Sequence, residues 1–240
     1  MIRRFLKMST AAAFGVLFVT QAHAATITGV INFEGTPPNL PDIKMDADPK
    51  CVANNTGPVK PAMLVLGTGN TVANVFVRIK SGLPAGKAYP APTTPVVIDQ
   101  KGCTYHPHVV GVMKDQPVKV LNSDGTLHNI HGKPTKNPEF NVAMPAFRKE
   151  MEQKFAIIED GIPVKCDVHP WMNGYIFVQD NPFFAVTADD GKFTLANVDP
   201  GTYEIEIWQE KLGVQTAKVT VAAAGDTVTQ NFTLKAPAAQ

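Results

Sequence analysis

The segment I-I-E-D-G-I-P-V-K-C-D-V-H-P-W-M-N-G-Y-I-F-V, Ile157 to Val178, sets the architecture expected of the chain. β-branched and aromatic runs flank a short polar turn, with Phe155 to Ile158 before it and Tyr175 to Val178 after it. This predicts two strands joined at C-D-V-H-P-W-M. Upstream, Ile27 to Phe33, Val72 to Ile79, Val96 to Ile98, Val109 to Val112 and Val118 to Leu121 repeat the pattern, each bounded by Gly, Pro, Asn or Asp. The Pro-rich stretch Pro84 to Pro95 cannot enter a sheet interior and predicts a surface connection. Only F-R-K-E-M-E-Q-K-F, Phe147 to Phe155, has helical character, and it is too short to hold a helix without tertiary support. With 20 Pro and 18 Gly scattered among Val- and Thr-rich segments, the expected class is all-β, a sandwich or barrel of short strands.

A composition break follows Asp180-Asn181-Pro182. Beyond it Phe193 to Leu195, Tyr203 to Trp208, Ala217 to Val221 and Val228 to Leu234 predict four strands of a second unit. Its T-A-D-D-G-K-F-T-L-A-N-V-D-P-G-T-Y-E-I-E-I-W segment resembles the turn-rich hairpins of the carboxypeptidase-regulatory-like, transthyretin-like small β-sandwiches. A sandwich of residues 181–240 alone is small, so the strand Ile27 to Phe33 is a candidate to complete it, which makes the intervening domain an insertion. The expected division is a leader at 1–24, a principal domain at 25–180 and the small sandwich at 181–240.

The leader expectation rests on Arg3, Arg4 and Lys7, the apolar run Ala11 to Val19, and Ala22-His23-Ala24, which together read as a signal peptide cleaved after Ala24. Export to the periplasm or another outside compartment follows, with no membrane span left after cleavage. An oxidising compartment lets two of the three cysteines pair. Cys51 in D-A-D-P-K-C and Cys103 in D-Q-K-G-C-T-Y lie in loop-like surroundings and are expected to form the disulfide, leaving Cys166 as the odd thiol. On the chain-entropy model such a bridge contributes roughly 4 kcal/mol.

Cys166, His169 and Met172 put a thiolate, an imidazole and a thioether on one strand-to-strand turn. A copper site of the blue, type 1 kind takes these three and one more imidazole. The upstream N-S-D-G-T-L-H-N-I-H, Asn122 to His131, offers two candidates. On a strand, residues three apart face opposite ways, so only one of His128 and His131 reaches the metal. Asn-x5-His-Asn-x-His followed by C-x2-H-x2-M resembles the cupredoxins, the type 1 blue copper family, and among them the amicyanin and plastocyanin pattern. This resemblance implies a Greek-key β-sandwich over about Val72 to Val178. It also implies one type 1 copper ion held by His128, Cys166, His169 and Met172. Asn129 is then expected to hydrogen-bond across to the ligand loop, and Pro170 and Trp171 to stiffen that loop and screen the metal.

The implied function is transfer of single electrons between redox partner proteins, without catalysis. A periplasmic copper-binding or delivery protein without redox cycling is the alternative. No nucleophile elbow, phosphate loop or zinc-protease helix occurs. A formal charge of +1, from 22 basic and 21 acidic residues, carries no nucleic-acid footprint. Tyr105-His106-Pro107-His108 adds histidines whose default is structural or solvent-facing; His108 with His131 is the pair to test for a second metal. Trp208-Gln209-Glu210-Lys211 is expected to pack against the neighbouring domain.

Overall fold

The computed structural model describes residues 24–236, so the leader lies outside the described residues apart from Ala24. Among these residues no helix is long and apolar enough to cross a membrane. The fold is nearly all β, built as one sandwich inserted into another.

The outer sandwich uses both ends of the chain. β1 (Ala25–Glu34) alternates buried and half-buried positions along almost its whole length, the period-2 signature of a strand with one face on a core. It is central in its sheet, antiparallel to β13 (Lys192–Val198) and parallel to β16 (Thr227–Thr229) and β17 (Phe232–Lys235). The expected single strand Val228 to Leu234 is therefore two. The break falls at Gln230, whose N–H donates to Thr28 O. That close approach demands Gly29, where a Cβ would lie 1.9 Å from Gln230 O. The facing sheet runs β12 (Phe184–Val186), β2 (Phe76–Ser81), β14 (Gly201–Gln209), β15 (Gly213–Val221). Ile27, Ile31, Val77, Ile79, Leu195, Ile205 and Ile207 fill the space between. Sheet membership thus departs from a boundary at residue 180. β2, expected in the principal domain, pairs with β14 because its buried Val77 and Ile79 match the inward face of that strand.

Between β2 and β12 the chain builds the inner sandwich. One sheet runs β5 (Val109–Met113), β11 (Asn173–Gln179), β10 (Glu159–Lys165), β7 (His128–Gly132), β8 (Phe140–Met144). The other runs β4 (Thr104–His106), β3 (Val96–Lys101), β6 (Val118–Asn122), β9 (Glu150–Gln153). Ile98, Val110, Val112, Val118, Val120, Ile130, Ile162, Val164, Ile176 and Val178 meet between them.

One local expectation fails here, and the segment with helical character takes an extended form. The helical segment is instead β9, antiparallel to β6, because this extended form sends Met151 to the core while the charged neighbours stay out. Phe155 to Ile158 is the connection from β9 to β10. Its backbone is satisfied by Asn137, whose Nδ2 donates to Ile157 O at 2.7 Å and whose Oδ1 accepts from Ile157 N at 3.0 Å, so no ladder forms. Among the described residues there is one short helix, α1 (Pro49–Ala53), and it lies where the sequence reads as loop.

The two sandwiches share an aromatic seam. Phe76 of β2 stacks on Phe177 of β11 with centroids 4.0 Å apart, and Trp208 of β14 meets Phe177 and Tyr175 at 5.0 and 4.9 Å. Arg78 crosses the same seam, its Nη1 donating to Asp160 and Gln179 and its Nη2 to Glu206. Truncating Phe177 to Ala should cost about 3–5 kcal/mol by removing the ring on which both sandwiches rest. A denaturation midpoint close to that of the parent chain would show that the seam carries little.

Glu159 opens β10 and accepts from Thr135 N, Thr135 Oγ1, Asn137 N and Asn137 Nδ2. Burial works against its ionisation, but these hydrogen bonds prevail and hold its pKa at about 2 against an ordinary 4.5. A depressed folded-state pKa stabilises above the unfolded value and loses that contribution as pH falls. Glu159→Gln is expected to destabilise by about 2 kcal/mol at neutral pH, with the gap narrowing below about pH 4.5. Denaturant titrations at pH 7 and about pH 3 check this, and an unchanged gap would contradict it.

Candidate metal centre

β10 and β11 are antiparallel neighbours, with Lys165 opposite Asn173, and Cys166 to Met172 is the turn between them. The turn is closed by its own backbone: Cys166 N donates to Met172 O at 3.1 Å and Met172 N to His169 O at 2.9 Å. His169 N in turn donates to the Cys166 sulfur at 3.4 Å. β7 is the other antiparallel neighbour of β10, with Gly132 opposite Val164 and His131 opposite Lys165. In that register His128 and Ile130 share the core face with Val164 and Cys166, while His131 faces away.

The result is a buried convergence. His128 Nδ1 lies 2.9 Å from His169 Nδ1, and the Cys166 sulfur lies 3.8 Å from His169 Nδ1. A donor atom from each of His128, Cys166 and His169 falls within 4.8 Å of the others. Their exposures are 0, 1 and 2% respectively. Met172, 1% exposed, belongs to the same core, and its backbone bonds close the turn that carries Cys166 and His169.

The groups of the centre shift one another's ionisation. Burial raises the pKa of the Cys166 thiol, but hydrogen bonds from His128 and from the backbone N–H groups of Asn129, Val168 and His169 outweigh it and bring the thiol below its ordinary value. Burial disfavours a charged His128, yet Asp124 and Cys166 pull its pKa upward on balance. His169 is pushed down, by burial first and then by the neighbouring His128 charge, in spite of Asp48. A cysteine sulfur and two imidazole nitrogens buried together form a donor set that suits copper or zinc.

Asn129 links the two stretches that make the centre. Its Oδ1 accepts from Asp167 N at 2.7 Å, and its Nδ2 donates to Asp167 Oδ2 at 3.1 Å and Asn141 Oδ1 at 2.7 Å. The Cys166 sulfur is 3.3 Å from Asn129 Oδ1. Trp171 packs beside His169, ring centroids 5.1 Å apart, and its indole N–H donates to Cys103 O at 3.0 Å. Pro170 follows His169 in the tight part of the turn, where its ring removes one backbone freedom. Cys51 and Cys103 form the expected disulfide, with Cα atoms 5.5 Å apart.

His108 and His131 do not form a second site. His108 Nδ1 donates to Asn173 O at 3.1 Å and Nε2 to Glu210 Oε2 at 2.7 Å. His131 is held by Asp167 and Glu139, at 2.8 and 2.7 Å. They stand on sheet positions with β11 and β10 between them, so a separation on the order of three strand spacings keeps them apart. Trp208 packs on the inner sandwich as described, and Glu210 pairs with His108.

Two carboxylates at the centre were not singled out by the sequence. His128 Nε2 lies 2.9 Å from Asp124 Oδ2, and His169 Nε2 lies 3.1 Å from Asp48 Oδ2. A signal existed for Asp48, since Asp-Pro is the N-cap and first position of a helix. Asp48 does cap α1, accepting from Lys50 N at 2.8 Å. For Asp124, in S-D-G, the local pattern reads only as a turn.

The family model that matches the chain is polysaccharide lyase family 4, domain II, over residues 159–230, which takes in β10 and β11 of the inner sandwich and runs on to β16 of the outer one. No curated protein sequence matches. Among solved structures, the chain is similar to a copper-containing nitrite reductase from Thermus scotoductus SA-01 at 18% identity, with a TM-score of 0.34. That match covers 42% of this chain and 26% of the reductase, so it spans about a quarter of the reductase's length. A Cu(I) structure of an amicyanin variant matches at 18% identity over 43% of this chain and 98% of that one, TM-score 0.32. A purple cupredoxin from Nitrosopumilus maritimus matches at 20% identity over 35% of this chain and 99% of that one, TM-score 0.30.

Because Asn129 is what ties β7 to the ligand turn, Asn129→Ala should cost about 2 kcal/mol and leave Asp167 N without its acceptor. Amide hydrogen exchange read residue by residue checks it: Asp167 and His169 should lose protection while the amides of β10 keep theirs.

Proposed function

We propose that this chain is an exported type 1 copper protein that carries single electrons between redox partner proteins. The carrying observation is the convergence of His128 Nδ1, His169 Nδ1 and the Cys166 sulfur in a buried pocket before any ion is added. When bound, copper supplies a one-electron couple. The protein's part is to keep the ligands still: the Cys166–Met172 turn is closed by its own backbone, Asn129 pins it from β7, and the rigid β10–β11 pair carries both ends. Ligands that do not move between oxidation states keep the barrier to transfer low.

Burial also separates this reading from copper delivery. A carrier that hands its ion on needs a route for exchange, whereas here both imidazoles are enclosed and α1 is stapled over His169 by the Cys51–Cys103 bridge. That bridge fits an oxidising compartment and so supports export. The outer sandwich, joined by the aromatic seam, is proposed to stabilise and orient the copper-bearing one.

The mature chain given copper(II) should take up one ion, show an intense visible thiolate-to-copper charge-transfer band, and cycle reversibly between oxidation states. Cys166→Ser should abolish the band. A variant with an unchanged spectrum would remove the sulfur from the site, and rapid surrender of copper to a mild chelator would favour delivery instead.

A further inference from the structure

Both imidazoles are held from behind in the same way. On each ring Nδ1 faces the centre and Nε2 meets a carboxylate, Asp124 for His128 and Asp48 for His169. An ionised carboxylate only accepts, so each contact is a ring N–H donating outward. A neutral imidazole has one such proton. Fixing a proton at Nε2 of each ring leaves Nδ1 as the atom that can bind a metal once the proton shared across the 2.9 Å His128 Nδ1–His169 Nδ1 contact has left, and both Nδ1 atoms face the point the Cys166 sulfur also faces.

The carboxylates are themselves held by backbone and side-chain donors. Asp124 accepts from Gly102 N at 2.6 Å, Cys103 N at 2.8 Å and Asn54 Nδ2 at 3.1 Å. Asp48 accepts from Lys50 N at 2.8 Å and Thr126 Oγ1 at 3.2 Å. The Cys51–Cys103 disulfide joins α1 to the β3–β4 turn, so the two supports are covalently tied, and Cys51 Sγ is itself 3.6 Å from His169 Nε2. Neither aspartate lies in the C-D-V-H-P-W-M turn or in the H-N-I-H stretch.

We propose that Asp48 and Asp124 are positioning residues of the metal centre, each accepting the Nε2–H of one histidine so that both rings present Nδ1 to copper. The disulfide-stapled cap of α1 is the frame that keeps them there. This rests on the copper reading above for its consequence, although the ring orientation itself does not. Each carboxylate also places a negative charge one ring away from the ion, which favours copper(II) over copper(I) and lowers the reduction potential.

The test uses the mature full-length chain with Asp48→Ala, Asp48→Asn and, as a control for the Asp48 contact that does not reach histidine, Thr126→Val. Nitrogen-15 spectra of the histidine rings in metal-free protein should show His169 as the Nε2–H tautomer in the parent, in Asp48→Asn and in Thr126→Val, and a mixture in Asp48→Ala. Copper(II) affinity measured by chelator competition should drop about 10–100-fold in Asp48→Ala. Asp48→Asn, which keeps an acceptor but loses the charge, should hold most of that affinity and show a higher potential. If Asp48→Ala lowers only the melting temperature, with tautomer, affinity and potential as in the parent, the positioning role is wrong. If Asp48→Ala does not fold, an Asp48→Asn potential equal to the parent's overturns it just as well. A parent chain that binds no copper but shows the ring spectra as described would defeat the copper reading and leave the orientation of the rings standing.

Discussion

The register of β7 against β10 is the constraint on which the centre depends. Lys165 pairs with His131 and Val164 with Gly132, which puts His128 and Cys166 on the core side together. A slip of one residue would turn His128 to the outside and bring Asn129 in. Nothing in the two-residue ladder itself is strong enough to forbid that slip. What forbids it is the pattern on either side: Ile130 is fully buried, and Asn129 has both ends of its amide engaged by the ligand turn and Asn141. Hydrophobic burial selects the face, and the amide selects the alignment.

The remainder of the molecule makes that register durable. Inserting one sandwich into another places β5 and β11 of the inner one against strands of the outer one, and the Phe76–Phe177 stack with Trp208 fills the join. Arg78 then satisfies three acceptors drawn from both sandwiches at the edge of this apolar contact. Since β11 leads directly out of the ligand turn, a tightly packed β11 is also a fixed end for that turn. The cap formed by α1 fixes the opposite side, through its disulfide and through Asp48.

An electron carrier and a metal carrier differ in what they ask of such a frame. The first needs ligands that stay put, the second a side that opens. Enclosure of both rings, a covalently stapled cap and a self-closed turn are the features on which the electron-carrier proposal rests. The likeness to known copper protein structures is confined to less than half of the chain, and the outer sandwich, the α1 cap and the two supporting aspartates are argued from this chain's own geometry.

By itself the sequence determined the β class and most strand positions, because alternation and turn residues are local, and it put Cys166, His169 and Met172 within seven residues on one turn. It also identified the disulfide, since two loop cysteines in an oxidising setting have few other fates. Tertiary structure decided the rest. Pairing partners carry no local mark, so β2 joined the outer sandwich and the helical-looking stretch before Phe155 became β9 once β6 offered it a ladder. The roles of Asp48 and Asp124 at the centre were not legible either: Asp48 reads only as a helix N-cap, 121 residues from the histidine it holds, and Asp124, four residues before His128, reads only as part of a turn. Only folding brings an N-cap and a turn aspartate behind two imidazole rings.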